Sequence, residues 1–284
     1  MIQVLIAGAG ISTVAGIARA AGVFGARGRW ISYITRLEVI VPLLGITYLI
    51  IRSIMAGFPA LAGTDVVLVI LGIVVLPAVE LTTRRSTTDV REVLKLWAAA
   101  AAAGLFLVAL FPGIATATAA PVPALRSAWL VLHVGTTMAG EAFFLVGAGA
   151  ATASLLSRNR KGRLQTDREI QFFRVSSAAI SVGYPLFTLG ALVFGSLWAF
   201  RAWGRYWAWD PKEVWALITW LVYTLYLHLQ LMRGGSRSAE AATEANAGRA
   251  NHRVLLNIIA IVGILLALFT FAGVNLLFES IHSY

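Results

Sequence analysis

Eight runs of apolar sequence, each of roughly membrane-spanning length, follow one another along the chain with only short polar breaks. They lie near 2–24, 31–52, 65–83, 93–111, 127–156, 170–201, 213–232 and 254–279. About 20 apolar residues cross the ~30 Å hydrocarbon core of a bilayer as a helix. Composition agrees: 59% of the 284 residues are hydrophobic and 13% are charged, against about 25% charged in a soluble domain. So few charges do not cover a water-facing surface, which excludes a soluble enzyme. The chain is expected to be an all-α, polytopic integral membrane bundle of about eight transmembrane helices in a lipid bilayer. The first run carries no charge before Arg19, and it has neither a basic leading region nor a small-x-small cleavage site. It therefore reads as a retained helix and not a signal peptide. The fifth and sixth runs exceed the span length, so they must tilt, kink or protrude. Tyr184-Pro185 supplies a reason for a kink in the sixth, because proline removes a backbone donor.

The formal charge of +10 is tested first as topology, since basic residues gather in cytoplasmic loops. Arg19, Arg27, Arg29 and Arg36 fall on one set of alternate breaks, followed by Arg84, Arg85, Arg91 and Lys95. The 158–174 segment adds six more, and Arg233, Arg237, Arg249 and Arg253 complete 18 of the 23 basic residues. Arg52, Arg126, Arg201, Arg205 and Lys212 fall on the other side. The expected location is a bacterial cytoplasmic membrane. Both termini and the 112–127 and 202–212 loops face outward. Topology accounts for most of the net charge, and no nucleic-acid partner is implied.

No internal repeat is visible. The organisation reads as a four-helix amino-terminal region, 1–111, and a second four-helix region, 112–284, that carries the functional loop. The small, polar segment 234–250 reads as a flexible inner loop. Ala98 to Ala103 reads as a close-packing helix surface. There is no cysteine, so disulfides, thiolate metal sites and a cysteine nucleophile are excluded.

Six of the nine tryptophans fall between 198 and 220, around Trp203-Gly-Arg-Tyr-Trp207-Ala-Trp209-Asp210-Pro211-Lys-Glu213. An aromatic belt at the membrane interface explains one or two of them. The density points instead to a platform for a large, flat, apolar ligand, stacked on indole faces, with indole N–H groups donating to ligand carboxylates. Arg201, Arg205 and Lys212 lie alongside. Asp210-Pro211 also reads as a helix start, with Asp at the N-cap, Pro at the first position and Glu213 in the first turn.

His133, near the outer end of the fifth run, and His282, at the outer end of the eighth, share a depth with that loop. A single histidine at a helix end commonly caps or snorkels. Two that flank an indole platform point to the axial ligands of one metal, and iron in a porphyrin takes imidazole on both faces. The porphyrin propionates suit the arginines. His228 lies 15 residues beyond Glu213, roughly 22 Å along a helix. It is either bonded between helices or a haem ligand at an inner site. His252 reads as a solvated loop residue. Glu38, Glu80 and Glu141 are left unassigned, as residues near span ends or within reach of arginine.

The stretch from Trp203 to His228 resembles the tryptophan-rich WWD signature of the haem-handling protein superfamily. The tail Gly273-Val-Asn-Leu-Leu-Phe-Glu-Ser-Ile-His282-Ser-Tyr is similar to the carboxyl end of its CcsA (ResC) branch, and Trp129-Leu-Val-Leu-His133-Val resembles the segment bearing the first outer histidine. The resemblance covers about 125–284. It implies that His133 and His282 are the outer axial ligands of haem b, that the 203–210 loop with Trp203, Trp207, Trp209 and Asp210 is the platform, and that His228 is the intramembrane histidine. It also implies a System II cytochrome c synthase (haem lyase) formed with a CcsB/ResB-type membrane partner. The substrate is then apocytochrome c, whose Cys-x-x-Cys-His thiols add across the haem vinyl groups. No acid, base or nucleophile of this chain is required, only orientation and proximity. The family often carries His-Phe-Pro and Asn-x-Tyr-Glu before the third span. Here the segment reads Gly57-Phe58-Pro59 and Gly63-Thr64-Asp65.

Three other readings compete. A transporter of another kind would show inverted repeats or broken midplane helices. An electron-transfer subunit holding haem b would pair histidines within the bundle, and His228 has no visible intramembrane histidine partner. A System I-type haem handler loads a haem chaperone instead, and the tail and eight spans favour the System II branch over it.

Overall fold

The computed structural model describes residues 2–23, 39–59, 61, 63–111, 123–158, 167–232 and 242–277. Among these, all regular structure is helical: α1 (Ile2–Val23), α2 (Ile40–Ala56), α3 (Thr64–Thr82), α4 (Thr88–Ala109) and α5 (Ala128–Leu156) come first. Then α6 (Asp167–Phe187) runs through a π-helical segment (Thr188–Phe194) into α7 (Gly195–Trp203), followed by α8 (Pro211–Met232) and α9 (Ala242–Leu268). A second π-helical segment (Phe269–Gly273) leads from α9 into the short α10 (Val274–Leu277). Six of the described helical runs are long and apolar enough to cross a membrane. The all-α membrane bundle expected from the sequence is therefore the fold.

The outward faces explain why lipid is the solvent. Leu43, Ile46, Ile50 and Ile54 are exposed along one face of α2, and Leu255, Ile258, Val262 and Leu265 along one face of α9. Their spacing of three and four residues makes each a continuous apolar stripe, of a size that water-soluble monomers rarely leave open. Inside, small residues bring backbones together. At the crossing of α5 and α6 a Cβ added to Gly140 would lie 2.7 Å from the Phe187 backbone nitrogen, and one added to Gly183 would lie 2.8 Å from the Gly140 carbonyl oxygen. The helices touch there backbone to backbone, as small-residue packing in membranes allows. α5 is the central post. It packs on α3, α6, α9 and the first π segment, and it buries Phe144, Val146, Ala150 and Ala151 completely.

Several sequence-based expectations shift in detail. The sixth run is a single helical path of 37 residues, Asp167–Trp203. Its irregularity is the π segment that begins three residues after Pro185. The 234–250 segment is helical from Ala242, where Ala, Glu and Arg residues favour a helix over an open loop. His252 therefore stands on α9, half-buried, and not in a solvated loop. Arg52 is not a loop residue: it lies within α2, 4% exposed, and pairs at 2.9 Å with Asp65 of α3. Tyr48 donates to the same Asp65 oxygen at 2.8 Å. Glu80 pairs with Lys95. Glu38 lies outside the described residues.

Candidate functional site

The loop from Trp203 to Asp210 owes its shape to both of its ends. Gly204 closes α7 in the left-handed region at φ 74°, with its N–H on the Phe200 carbonyl at 2.8 Å. At the other end Asp210 caps α8. Its Oδ1 accepts the Lys212 N–H at 3.0 Å, and its carbonyl accepts from Val214 at 3.0 Å. Glu213 Oε2 reaches back to the N–H groups of Asp210 (3.2 Å) and Ala208 (2.7 Å). This is a reciprocal capping box with Pro211 as the first helical residue. Between the ends, Trp209 holds φ 58°, a region that bulky residues seldom enter. The residue is 72% exposed, and its ring meets Trp207 edge-on, 5.9 Å between centroids and 86° between planes.

Behind the loop lies a cavity with ≈1180 Å³ of empty space, its solvent mouth included. Its walls come from five parts of the chain, Thr270 of the second π segment among them. Leu61, Gly63, Thr64 and Val67 line it from the start of α3, and His133, Thr137 and Glu141 from α5. Ala191 and Trp198 come from the π segment and α7, and Tyr206, Trp207, Lys212 and Glu213 from the loop and α8.

His133 is held by two contacts. Its ring stacks on the buried Trp198, 5.9 Å between centroids and 4° between planes. Its Nδ1 lies 2.9 Å from the Gly190 carbonyl oxygen. A carbonyl only accepts, so Nδ1 carries the hydrogen and Nε2 keeps its lone pair, the tautomer of a metal-ligating histidine. Gly190 sits in the π segment, and its carbonyl also accepts the Gly195 N–H. Gly195 leaves space beside the ring, since a Cβ there would lie 3.0 Å from Nδ1. Trp207 also lines the cavity, and its Nε1 is buried without a hydrogen-bond partner among the described residues. An imidazole with a free accepting nitrogen, an unused indole donor and a cation at Lys212, around one open-mouthed cavity, fit a flat metallated macrocycle with carboxylate arms.

His133 and Trp207 line this cavity; Trp203, Trp209, Asp210, Arg201 and Arg205 are not among its lining residues. Trp203 packs edge-on against Trp198 at 4.8 Å, and Arg201 and Arg205 are exposed. His282 lies outside the described residues. His228 is elsewhere, on the outward face of α8, with Nδ1 2.8 Å from the Thr224 carbonyl oxygen. Two cavity residues escape the sequence reasoning. Trp198 is counted there in the tryptophan cluster but is given no role beside His133. Glu141 does not end a span and meets no arginine among the described residues: it is 3% exposed, in mid-helix. The spacing His133, Thr137, Glu141, three polar side chains at four-residue intervals in an apolar helix, is the signal that finds it.

The family described as "Cytochrome C assembly protein" matches residues 59–282. The cytochrome c biogenesis protein CcsA of Chlamydomonas reinhardtii is 38% identical over 169 residues, covering 57% of this chain and 42% of that protein. CcsA of Parasynechococcus marenigrum (strain WH8102) is 37% identical over 198 residues, 59% of each chain. CcsA of Mesostigma viride is 34% identical over 192 residues, 57% of each. The matches thus span between two fifths and three fifths of these relatives' length. The matched region contains every wall of the cavity and the loop above it, and the chain belongs to the cytochrome c assembly protein family, among the CcsA-type cytochrome c biogenesis proteins of the membrane.

Proposed function

We propose that this chain is the haem-handling subunit of a System II (ResC-type) cytochrome c synthase, and that it holds haem b at the tryptophan end of the bundle. The observation that carries the reading is the fixed tautomer of His133, whose Nε2 lone pair is available on a cavity wall. Haem supplies the two vinyl groups to which the substrate's thiols add. The chain's residues orient and shield. His133 binds from one side, with Trp198 behind its ring. Trp207 Nε1 and Lys212 hold carboxylate arms, and Arg201 and Arg205 bring positive charge to the rim. On this reading His282 would hold the iron together with His133. Positioning of this kind, not acid–base chemistry, is what the chain contributes.

His228 suits a different duty. An ionisable side chain facing lipid is costly, and with Nδ1 bonded to Thr224 its Nε2 is the nitrogen left for a ligand. We assign it to a haem site shared with a CcsB-type membrane partner. The tryptophan end faces outward in the bacterial cytoplasmic membrane, where apocytochrome c collects the haem.

The purified chain, alone and with its partner, is expected to show a bis-imidazole absorption spectrum. His133→Ala should lose most haem from the tryptophan end, with partial recovery on added imidazole. Full haem occupancy with an unchanged spectrum in His133→Ala would overturn the assignment.

A further inference from the structure

Below His133 on the same face of α5 stand Thr137 and Glu141. At four-residue intervals the three side chains form a ladder with rungs about 6 Å apart. It descends from beside Trp198 into the middle of a 29-residue helix, and all three line the one cavity. Thr137 Oγ1 and Glu141 Oε2 are buried, and neither has a hydrogen-bond partner among the described residues. More than about 90% of buried polar groups are paired in folded proteins. Two orphans on one wall of one cavity look to its contents for partners, and water is the content that fits a polar, roomy space.

The groups that line the cavity or act on Glu141 can be named element by element. His133 shares α5. Lys212 and Glu213 stand on the cavity wall at the start of α8, and Tyr223, lower on α8, interacts electrostatically with Glu141. The lining residues from α3, the first π segment and the second π segment, including Val67, Ala191 and Thr270, carry no charge. The occupant of the cavity is therefore well placed to decide whether Glu141 holds a proton.

We propose that the lower arm of the cavity is a hydrated proton site centred on Glu141, which takes up a proton when iron held at His133 is reduced and releases it on reoxidation. The proposal rests on haem binding at His133. One electron from an external one-electron donor converts Fe³⁺ to Fe²⁺, and one proton from bulk solvent, relayed by cavity water, joins the Glu141 carboxylate, so the charge of the buried region is unchanged.

Glu141 lies eight residues from His133, about 12 Å along the axis. At that separation and an effective dielectric of ~20, one unit of charge changes proton affinity by about tenfold. The sign follows from charge. Ferric iron, the more positive state, favours the carboxylate, and ferrous iron favours the acid. The midpoint potential therefore falls as pH rises between the two affinities. The total fall is that tenfold converted for one electron, about 60 mV.

The test is potentiometric titration of the haem-loaded protein with redox mediators, from mildly acidic to mildly alkaline pH. Wild type should show the fall, and Glu141→Gln should bind haem with the same spectrum and a flat potential. A flat wild-type potential, or a slope kept in Glu141→Gln, overturns the proposal. Should that variant not accumulate, redox-difference infrared spectroscopy of wild type with isotope-labelled glutamate decides. A labelled carboxylic-acid band that grows on reduction supports the proton site, and its absence overturns it. Haem bound through His133 with a pH-independent potential removes this proposal alone. Loss of haem binding through His133 removes the haem reading as well.

Discussion

Asp210 shows how one residue serves two readings that a substitution can separate. As an N-cap it needs only a side-chain oxygen for the Lys212 N–H, and asparagine supplies one equally well. As a charged ligand contact it needs the carboxylate. Asp210→Asn is expected to melt and retain haem like wild type. Asp210→Ala should lose about 0.5–2 kcal/mol of stability, read as a lower Tm in detergent. If Asp210→Asn lost haem at an unchanged Tm, the charge itself would be in use. The cap was legible in the sequence because Asp-Pro-x-Glu is a local signal. Trp209 is a contrary case. Its left-handed backbone and its exposure follow from the closure of the whole loop, and nothing in the neighbouring residues announces them.

Among the elements, the π segment Thr188–Phe194 carries the most consequence. It puts Gly190 against α5 so tightly that a Cβ there would lie 2.3 Å from the Thr137 backbone nitrogen. It also aims the Gly190 carbonyl at His133. Gly190→Ala is therefore expected to force α5 and the segment apart. Tm should drop by the several degrees that follow from 1–3 kcal/mol of overpacking. Haem retention should fall as far as in His133→Ala, although no ligand atom has been touched. Retention at the wild-type level in a stably folded Gly190→Ala would show that the His133 tautomer does not depend on this segment. From the sequence, a disturbance near Tyr184-Pro185 was foreseeable, because proline breaks the donor ladder. A π-helical path that re-aims one carbonyl was not. It depends on a neighbouring helix that no single run of residues contains.

For the whole molecule, the helical class and the membrane setting were legible because lipid imposes a simple rule on composition and length, whereas eight spans were expected and six of the described helical runs are long and apolar enough to cross. Pairings between helices were not legible. Arg52 reads as a loop charge in sequence, but it closes a buried pair with Asp65, one residue from the cavity wall at Thr64. Arg52→Leu leaves a buried carboxylate without its cation and should cost about 3–5 kcal/mol, whereas Arg52→Leu with Asp65→Leu should recover most of it. Thermal melts of the purified chain in detergent would read both. A single variant as stable as the double one would mean that Asp65 finds another partner. The convergence of His133, the tryptophan loop and Lys212 on one cavity was partly legible, since matching depths in the bundle follow from counting spans. The contribution of α3 to the same cavity was not, because its lining residues are ordinary membrane residues.

The Gly190 carbonyl has one more implication, for turnover. A ring already oriented, with its accepting nitrogen bare, can grip a metal and let it go without rebuilding its surroundings. Capture and release then differ by little more than the coordinate bond itself. That property suits a way-station, from which cargo must leave as readily as it arrives, better than a permanent berth.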